Sequence, residues 1–76
     1  MKREFILDGI NCQAVLREDR MEVTVNIPHL TVTSHTKFKP LTPMGIKHQT
    51  FISAPERIAA QTISQCRPIW DTPTNQ

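Results

Sequence analysis

The stretch INCQAVL-REDR-MEVTVNI, residues 10–27, alternates apolar and polar residues on both sides of four charged ones. Its apolar members stand at every second position: Ile10, Cys12, Ala14 and Leu16, then Met21, Val23, Val25 and Ile27. Because neighbouring side chains of a strand point to opposite faces, this period of two predicts two strands. With residues 17–20 as the loop, Leu16 lies opposite Met21, and the apolar residues of both strands share one face.

A second turn signal precedes this hairpin. Asp8-Gly9 follows the short apolar run of residues 4–7, and such a pair favours a two-residue type I′ turn. Closing the chain there places Leu7 opposite Ile10 and Phe5 opposite Cys12, on the apolar face already defined. Agreement between turn chemistry and pattern predicts a three-stranded antiparallel meander with residues 10–16 as the central strand.

The chain after the meander is less regular. Pro28 cannot donate to a strand ladder, and the apolar alternation then shifts to even positions, which we interpret as a bulge or corner at Pro28-His29. A fourth strand is expected at about 30–37, followed by a proline-containing loop at 39–45. Residues 46–52 are a possible fifth strand that would pair with the fourth.

A helix is predicted next. Ser53 is placed to cap its first turn, Glu56 to complete a capping box, and Pro55 to occupy the first turn. An apolar stripe at helical spacing follows: Ile58, Ala59, Thr62, Ile63 and Cys66. Pro68 is expected to end the helix.

The predicted fold class is α+β, with a three-stranded antiparallel meander, possibly extended to four or five strands, and one C-terminal helix packed on its apolar face. One domain is expected at residues 1–70, in which Ile69-Trp70 either closes against the core or projects into a partner, with a polar tail at 71–76. A chain of 76 residues buries a modest core, so extra stability from self-association is expected.

Composition narrows the class of protein. Two cysteines are too few for a secreted disulfide scaffold, and no apolar run reaches the length of a membrane span. The first residues enter a strand pattern without the apolar core of a signal peptide. We therefore expect a cytoplasmic protein without a membrane partner.

Catalytic and metal-binding signatures are missing from the sequence. The histidines and cysteines have no zinc-site spacing, and no nucleophile motif or glycine-rich phosphate loop is present. The carboxylates fall mainly in turns and termini, where no pocket shifts their pKa values. The sequence predicts a protein that is not an enzyme and that carries no metal or cofactor.

Candidate partner-binding residues fall in three places. The basic segment, residues 35–51, contains Lys37, Phe38, Lys39, Lys47 and His48 but no acid. The polar face of the sheet carries Gln13 and Thr24, whose uncharged groups are cheap to desolvate. The outer face of the predicted helix has few charges, and Ala60 with Ser64 there suggests a homodimer contact.

Two functional hypotheses remain. The first is a small protein-binding module, an inhibitor or adaptor of the phage or mobile-element type, that acts on an acidic or nucleic-acid-binding surface of a larger protein. The second is a nucleic-acid-binding module that uses the basic segment, because cations with interleaved aromatics suit single strands.

Overall fold

The computed structural model describes the backbone of residues 1–70 and the side chains of residues 1–67. Within this part the chain forms a four-stranded antiparallel sheet and two helices. The elements are β1 (Lys2–Leu7), β2 (Ile10–Leu16), β3 (Arg20–Ile27), β4 (Leu30–Lys37), α1 (Met44–Ser53) and α2 (Pro55–Trp70). The strand order β1-β2-β3-β4 confirms the α+β meander, with a fourth strand and one more helix than the minimal prediction.

The first hairpin closes as predicted. Asp8 and Gly9 have φ values of 54° and 76°, as a type I′ turn requires, and Leu7 pairs with Ile10. The next hairpin also has the expected register, with Leu16 opposite Met21. Its loop is shorter than the four charged residues, since the Arg17 N–H donates to the carbonyl of Arg20 at 2.8 Å.

The interpretation of Pro28-His29 as a bulge or corner is wrong. These two residues form a tight turn between β3 and β4, with Ile27 paired to Leu30 and an unbroken register from there to Arg20 and Lys37. Proline followed by a residue with positive φ, here His29 at 64°, is the combination that type II turns use. A two-residue turn changes the parity of the apolar face by itself, so no bulge is needed.

The core lies between one face of the sheet and the helices. Met21, Val23 and Val25 of β3 are almost completely buried, and Ala59 and Ile63 of α2 cover them. The predicted stripe of α2 is thus confirmed, with Ile58 and Cys66 half-buried at its margins. The opposite face of the sheet has no helix over it within residues 1–70.

Residues 46–52 are not a fifth strand, because the chain forms α1 there. Phe51 is its buried side chain, and Ala54 directly after it is also buried. Lys47, Phe51 and Ala54 are spaced by four and three residues, which places them on one side of a helix. No described side chain caps the start of α1, so tertiary contacts stabilise this helix more than local signals do.

The boundary between the helices corrects the capping prediction. Ser53 is the last residue of α1, and its hydroxyl donates to the carbonyl of Gln49 at 2.8 Å, so it does not cap α2. Pro55 begins α2 as expected, but it has no N–H for the carbonyl of Phe51. Arg3 replaces that donor: its Nη1 lies 3.0 Å from the Phe51 oxygen, and its Nη2 contacts Glu56 Oε2 at 2.5 Å.

α2 continues to Trp70, so the prediction that Pro68 ends it is wrong. Proline has a helical φ, and near the end of a helix its missing donor removes a single hydrogen bond. The predicted contact of Ile69-Trp70 with the core and the tail at 71–76 lie outside the described side chains. Neither helix in the described part has the length and apolar character needed to cross a membrane.

Candidate functional site

The basic segment begins where β4 ends, and two of its cationic candidates play different roles. Lys37 pairs with Arg20 at the end of the sheet, and its side chain is exposed. The ammonium of Lys47 instead donates to the carbonyl of Glu18 at 2.6 Å and lies 5.6 Å from the centre of the Phe38 ring. Lys47 therefore fastens α1 to the β2–β3 turn and is partly committed to the fold.

The aromatic residues of the basic segment belong to the protein interior. Phe51 is buried, and Phe38 is half-buried and packed against the core. Neither ring is presented as a free platform for a stacked base. Of the other candidates, Lys39 and His48 have exposed side chains.

A strained turn links β4 to α1. The Thr42 N–H and hydroxyl both donate to the carbonyl of Lys39, at 3.2 and 2.6 Å, with Pro40 and Leu41 between them. Leu41 has φ of 68° at the position where a type II turn favours glycine or asparagine. Its side chain is 99% exposed, so no contact among the described residues offsets that strain.

Large apolar side chains continue from this turn along the outside of α1. Met44, Ile46 and Ile52 are each more than half exposed, as Leu41 is. Met44, His48 and Ile52 are four residues apart and so follow one flank of the helix, while Ile46 lies beyond Gly45 on the other. We define the α1 surface by its exposed members: Leu41, Met44, Ile46, His48 and Ile52.

Of this surface, only His48 was predicted from the sequence; its four apolar members were not. Positions 44, 46 and 52 share the parity of one strand face, so the pattern is compatible with a strand and carries no signal that these side chains face outwards. The apolar content of this segment faces outwards because Phe51 and Ala54 already fill the inner side.

The open face of the sheet, opposite the helices, holds the other two partner-binding candidates. Gln13 and Thr24 are directly paired there, and the Thr24 hydroxyl lies 3.0 Å from that of Thr33. A depression of about 640 Å³ lies beside them, lined by Glu4, Phe5, Ile6, Asn11, Cys12, Gln13 and Asn26. It contains one carboxylate and several amides, which can accept and donate hydrogen bonds but form no acid–base pair.

A cluster of charges occupies the end of this open face. The carboxylate of Glu22 contacts Arg20 Nε at 2.9 Å and Arg17 Nε at 3.1 Å, and His35 Nδ1 lies at 3.7 Å. The hydrogen bond from Arg20, assisted by Arg17, lowers the pKa of Glu22 below its ordinary value. Asp19 Oδ2 also lies 3.2 Å from Arg20 Nη1, so two carboxylates offset the charge of the two arginines and reduce the positive field beside the basic segment.

The predicted sites fall on three separate surfaces. His48 belongs to the α1 surface and Lys39 lies in the turn just before it, whereas Gln13, Thr24 and Lys37 lie on the open sheet face. Ala60 and Ser64 are exposed on α2. The fold therefore does not join the candidates into one site.

Metal ligands and nucleophiles do not converge in residues 1–67. No group of three His, Cys, Asp or Glu side chains comes together there. Burial raises the pKa of the Cys12 thiol, whose Sγ lies 3.4 Å from the carbonyl of Ile10. A buried thiol with a raised pKa is a poor nucleophile.

Comparison of the chain with protein-family models, with curated proteins and with solved structures gives no match in any of the three. Its function is therefore argued from the surfaces of the molecule, of which the α1 surface departs most from an ordinary solvated exterior.

Proposed function

We propose that this chain is a non-enzymatic protein-binding module that binds a larger protein through the α1 surface. The observation that carries the proposal is the exposure of four large apolar side chains within residues 41–52. Single exposed apolar residues are common on soluble domains, but a group of them concentrated on one helix and the turn before it is typical of an interaction site. Helices that present apolar anchors commonly bind in a groove of their partner.

The backbone at Leu41 supports the same surface. Asp8 and His29 also have positive φ, but both lie in two-residue hairpin turns and belong to residue types that tolerate this conformation. Leucine tolerates it less well, and a residue in this region costs about 1–3 kcal/mol unless something offsets the strain. A leucine that is both strained and exposed brings no benefit to the fold, which supports a role for its side chain in contact with a partner.

Charge indicates the chemistry of the partner. His48 belongs to the α1 surface, Lys39 precedes Leu41 by two residues, and the chain carries a formal charge of +2. A groove that is apolar at its centre and acidic at its rim would complement this arrangement and steer the approach. An inhibitor or adaptor that occupies such a groove fits both the size of the chain and its lack of a catalytic constellation within the described residues.

Nucleic-acid binding through the basic segment is the second candidate, favoured by the exposure of Lys37 and Lys39. It has less support than protein binding. Stacking of bases needs accessible rings, but Phe51 is buried, and Phe38 is half-buried with the Lys47 ammonium 5.6 Å from its ring. Lys47 is held by the Glu18 carbonyl, which leaves fewer cations for phosphate contacts.

The chain offers a matched pair of variants that tests the proposal. Ile52 on the α1 surface and Ile6 on the open sheet face are the same residue type and are 63% and 71% exposed. Ile52→Asp and Ile6→Asp therefore add the same charge to different surfaces at a similar cost to folding. Tagged wild type and both variants, checked by circular dichroism, would be used to capture host protein from lysate with and without nuclease treatment.

We expect wild type and Ile6→Asp to retain one protein in stoichiometric amount, and Ile52→Asp to lose at least about tenfold in affinity for it. A partner retained by Ile52→Asp but lost by Ile6→Asp would transfer the site to the open sheet face. Material that disappears with nuclease, together with salt-dependent binding of a single-stranded oligonucleotide, would support the second candidate instead.

A further inference from the structure

β4 is an edge strand with an unusually open hydrogen-bonding edge. Within residues 1–70 it has a strand neighbour on one side only, and it pairs with β3 over all eight of its residues without a bulge. The Phe38 N–H donates to the carbonyl of Asp19 at 2.9 Å, which shows that even-numbered residues here direct their backbone groups towards β3. By alternation, Thr31, Thr33 and His35 direct theirs outwards.

The two edges of the sheet differ in their protection. β1 begins with Lys2, Arg3 and Glu4, and charged side chains are a common device that stops an edge from pairing with another chain. β4 has no proline, no carboxylate and no lysine before its final residue. Its sequence, LTVTSHTK, is rich in β-branched residues that favour an extended partner strand.

The charge pattern of β4 favours a second copy of the chain as that partner. The chain is positive overall, so two copies repel each other wherever their cations meet. Between Thr31 and Thr36 the strand carries no formal charge with histidine neutral, so two copies can approach there without like-charge contact. An antiparallel edge is also complementary to itself under a two-fold axis.

We propose that β4 pairs with β4 of a second copy, in an antiparallel arrangement centred on Thr33, to form one continuous sheet across the dimer. Thr33 then lies opposite its own copy, and Thr31 of one chain lies opposite His35 of the other. On the helix side, Val32 lies opposite Ser34, and Leu30, 44% exposed in the single chain, lies opposite Thr36. These contacts cover apolar surface that the single chain leaves open.

The size of the interface sets the expected strength. One strand edge with Leu30 and Val32 beside it falls near or below the low end of the area that stable dimers bury, about 1,200 Å². The dimer should therefore be weak and dependent on concentration. This inference does not involve the α1 surface, so it stands or falls independently of the proposed function.

The test measures molar mass by light scattering and sedimentation between ~1 μM and ~1 mM, the range that suits a weak interface. Thr33→Pro removes the outward N–H at the centre of the edge without removing a bond to β3. Thr33→Lys places two ammonium groups opposite each other in the dimer. Because position 33 is exposed, this variant still tests the proposal if the proline variant does not fold. Glu4→Pro is the matched control, because its N–H also points outwards, from β1.

Wild type and Glu4→Pro are expected to rise from 8.7 kDa towards twice that mass, while both Thr33 variants remain folded at the mass of one chain. Wild type that stays at one chain at the highest concentration would overturn the proposal. So would a dimer that persists in Thr33→Lys. A dimer lost on Ala60→Arg but retained by both Thr33 variants would assign the contact to α2.

Discussion

Replacing Arg3 by methionine should lower the free energy of unfolding by about 2 kcal/mol, which is more than a surface substitution usually costs. Pro55 leaves the carbonyl of Phe51 without its helical donor, and Arg3 supplies that donor at 3.0 Å while it pairs with Glu56. The guanidinium therefore joins the edge strand β1 to the junction between α1 and α2.

The magnitude follows from the separate contacts. A hydrogen bond from a charged donor to a half-buried carbonyl contributes about 1.5–3 kcal/mol. The ion pair adds at most about 1 kcal/mol, because the Arg3 and Glu56 side chains are 29% and 45% exposed and solvent screens them. Methionine retains the apolar stem that packs beside Phe5 and Phe51, so the loss reports mainly the polar contacts.

The assay is urea unfolding followed by circular dichroism, with Lys2→Met as the matched control. Lys2 also belongs to β1 and pairs with Glu4 at 3.4 Å, but both side chains are more than half exposed, so its loss should cost under about 0.5 kcal/mol. The hydrogen bond from Arg3 lowers the pKa of Glu56 below its ordinary value of 4.5. The contribution of the Arg3–Glu56 pair to the free energy of unfolding is therefore present above pH 4.5, and it is lost as the pH falls through the lower, folded-state pKa of Glu56.

Two results would refute this reasoning. Arg3→Met and Lys2→Met could lie within about 0.5 kcal/mol of each other at pH 7, which would mean that the Phe51 carbonyl is satisfied without Arg3. Alternatively, the difference between wild type and Arg3→Met could stay constant as the pH falls from 6 to 3. In that case Glu56 would not be coupled to the guanidinium.

Three further predictions test other parts of the fold. Val25→Asp places an unpaired charge in a fully buried position and should cost about 4 kcal/mol or more, measured as loss of the cooperative urea transition. Gly9→Ala should destabilise the protein by about 1–2 kcal/mol because φ at this position is 76°. Gly45→Ala should stabilise α1 by about 0.5–1 kcal/mol, because the added methyl group meets only open space. The two variants should therefore shift Tm in opposite directions. Leu41→Gly should raise Tm by relieving the backbone strain, and it should weaken binding of the partner. If Tm rises while affinity is unchanged, the strained leucine has no role in binding.

The sheet could be predicted from sequence because independent signals agreed. Turns recur at residues 8–9, 18–19 and 28–29, and the apolar residues between them alternate without interruption. The bulge at Pro28 was wrong for a simple geometric reason. Any two-residue turn changes the parity of the apolar face, and the Asp8-Gly9 turn had already produced the same change.

α1 could not be predicted from local signals. Its N-cap position is Pro43, which offers no side-chain acceptor, its first turn contains no acid, and Gly45 stands at its second position. Its contribution to the core is largely one buried ring, Phe51. The Lys47 contact with the Glu18 carbonyl, which fixes the helix against the sheet, joins residues far apart in sequence and leaves no trace in a local pattern.

The segment that contains most of α1, residues 41–52, also carries the proposed binding site. Residues 30–37 and 58–66 were predicted correctly as a strand and a helix because Val32, Ile58, Ala59 and Ile63 pack on the core, although Leu30 is 44% exposed. Residues 41–52 were not predicted correctly because Met44, Ile46 and Ile52 also fit the period of a strand, whereas in the structure they face outwards from a helix. In a small domain, each large side chain is needed to bury surface. The four exposed here, three on α1 and Leu41 on the strained turn before it, cost stability that the fold does not recover by itself. A bound partner protein that covers the α1 surface would recover it, which is why the failure of the sequence pattern and the position of the proposed site coincide.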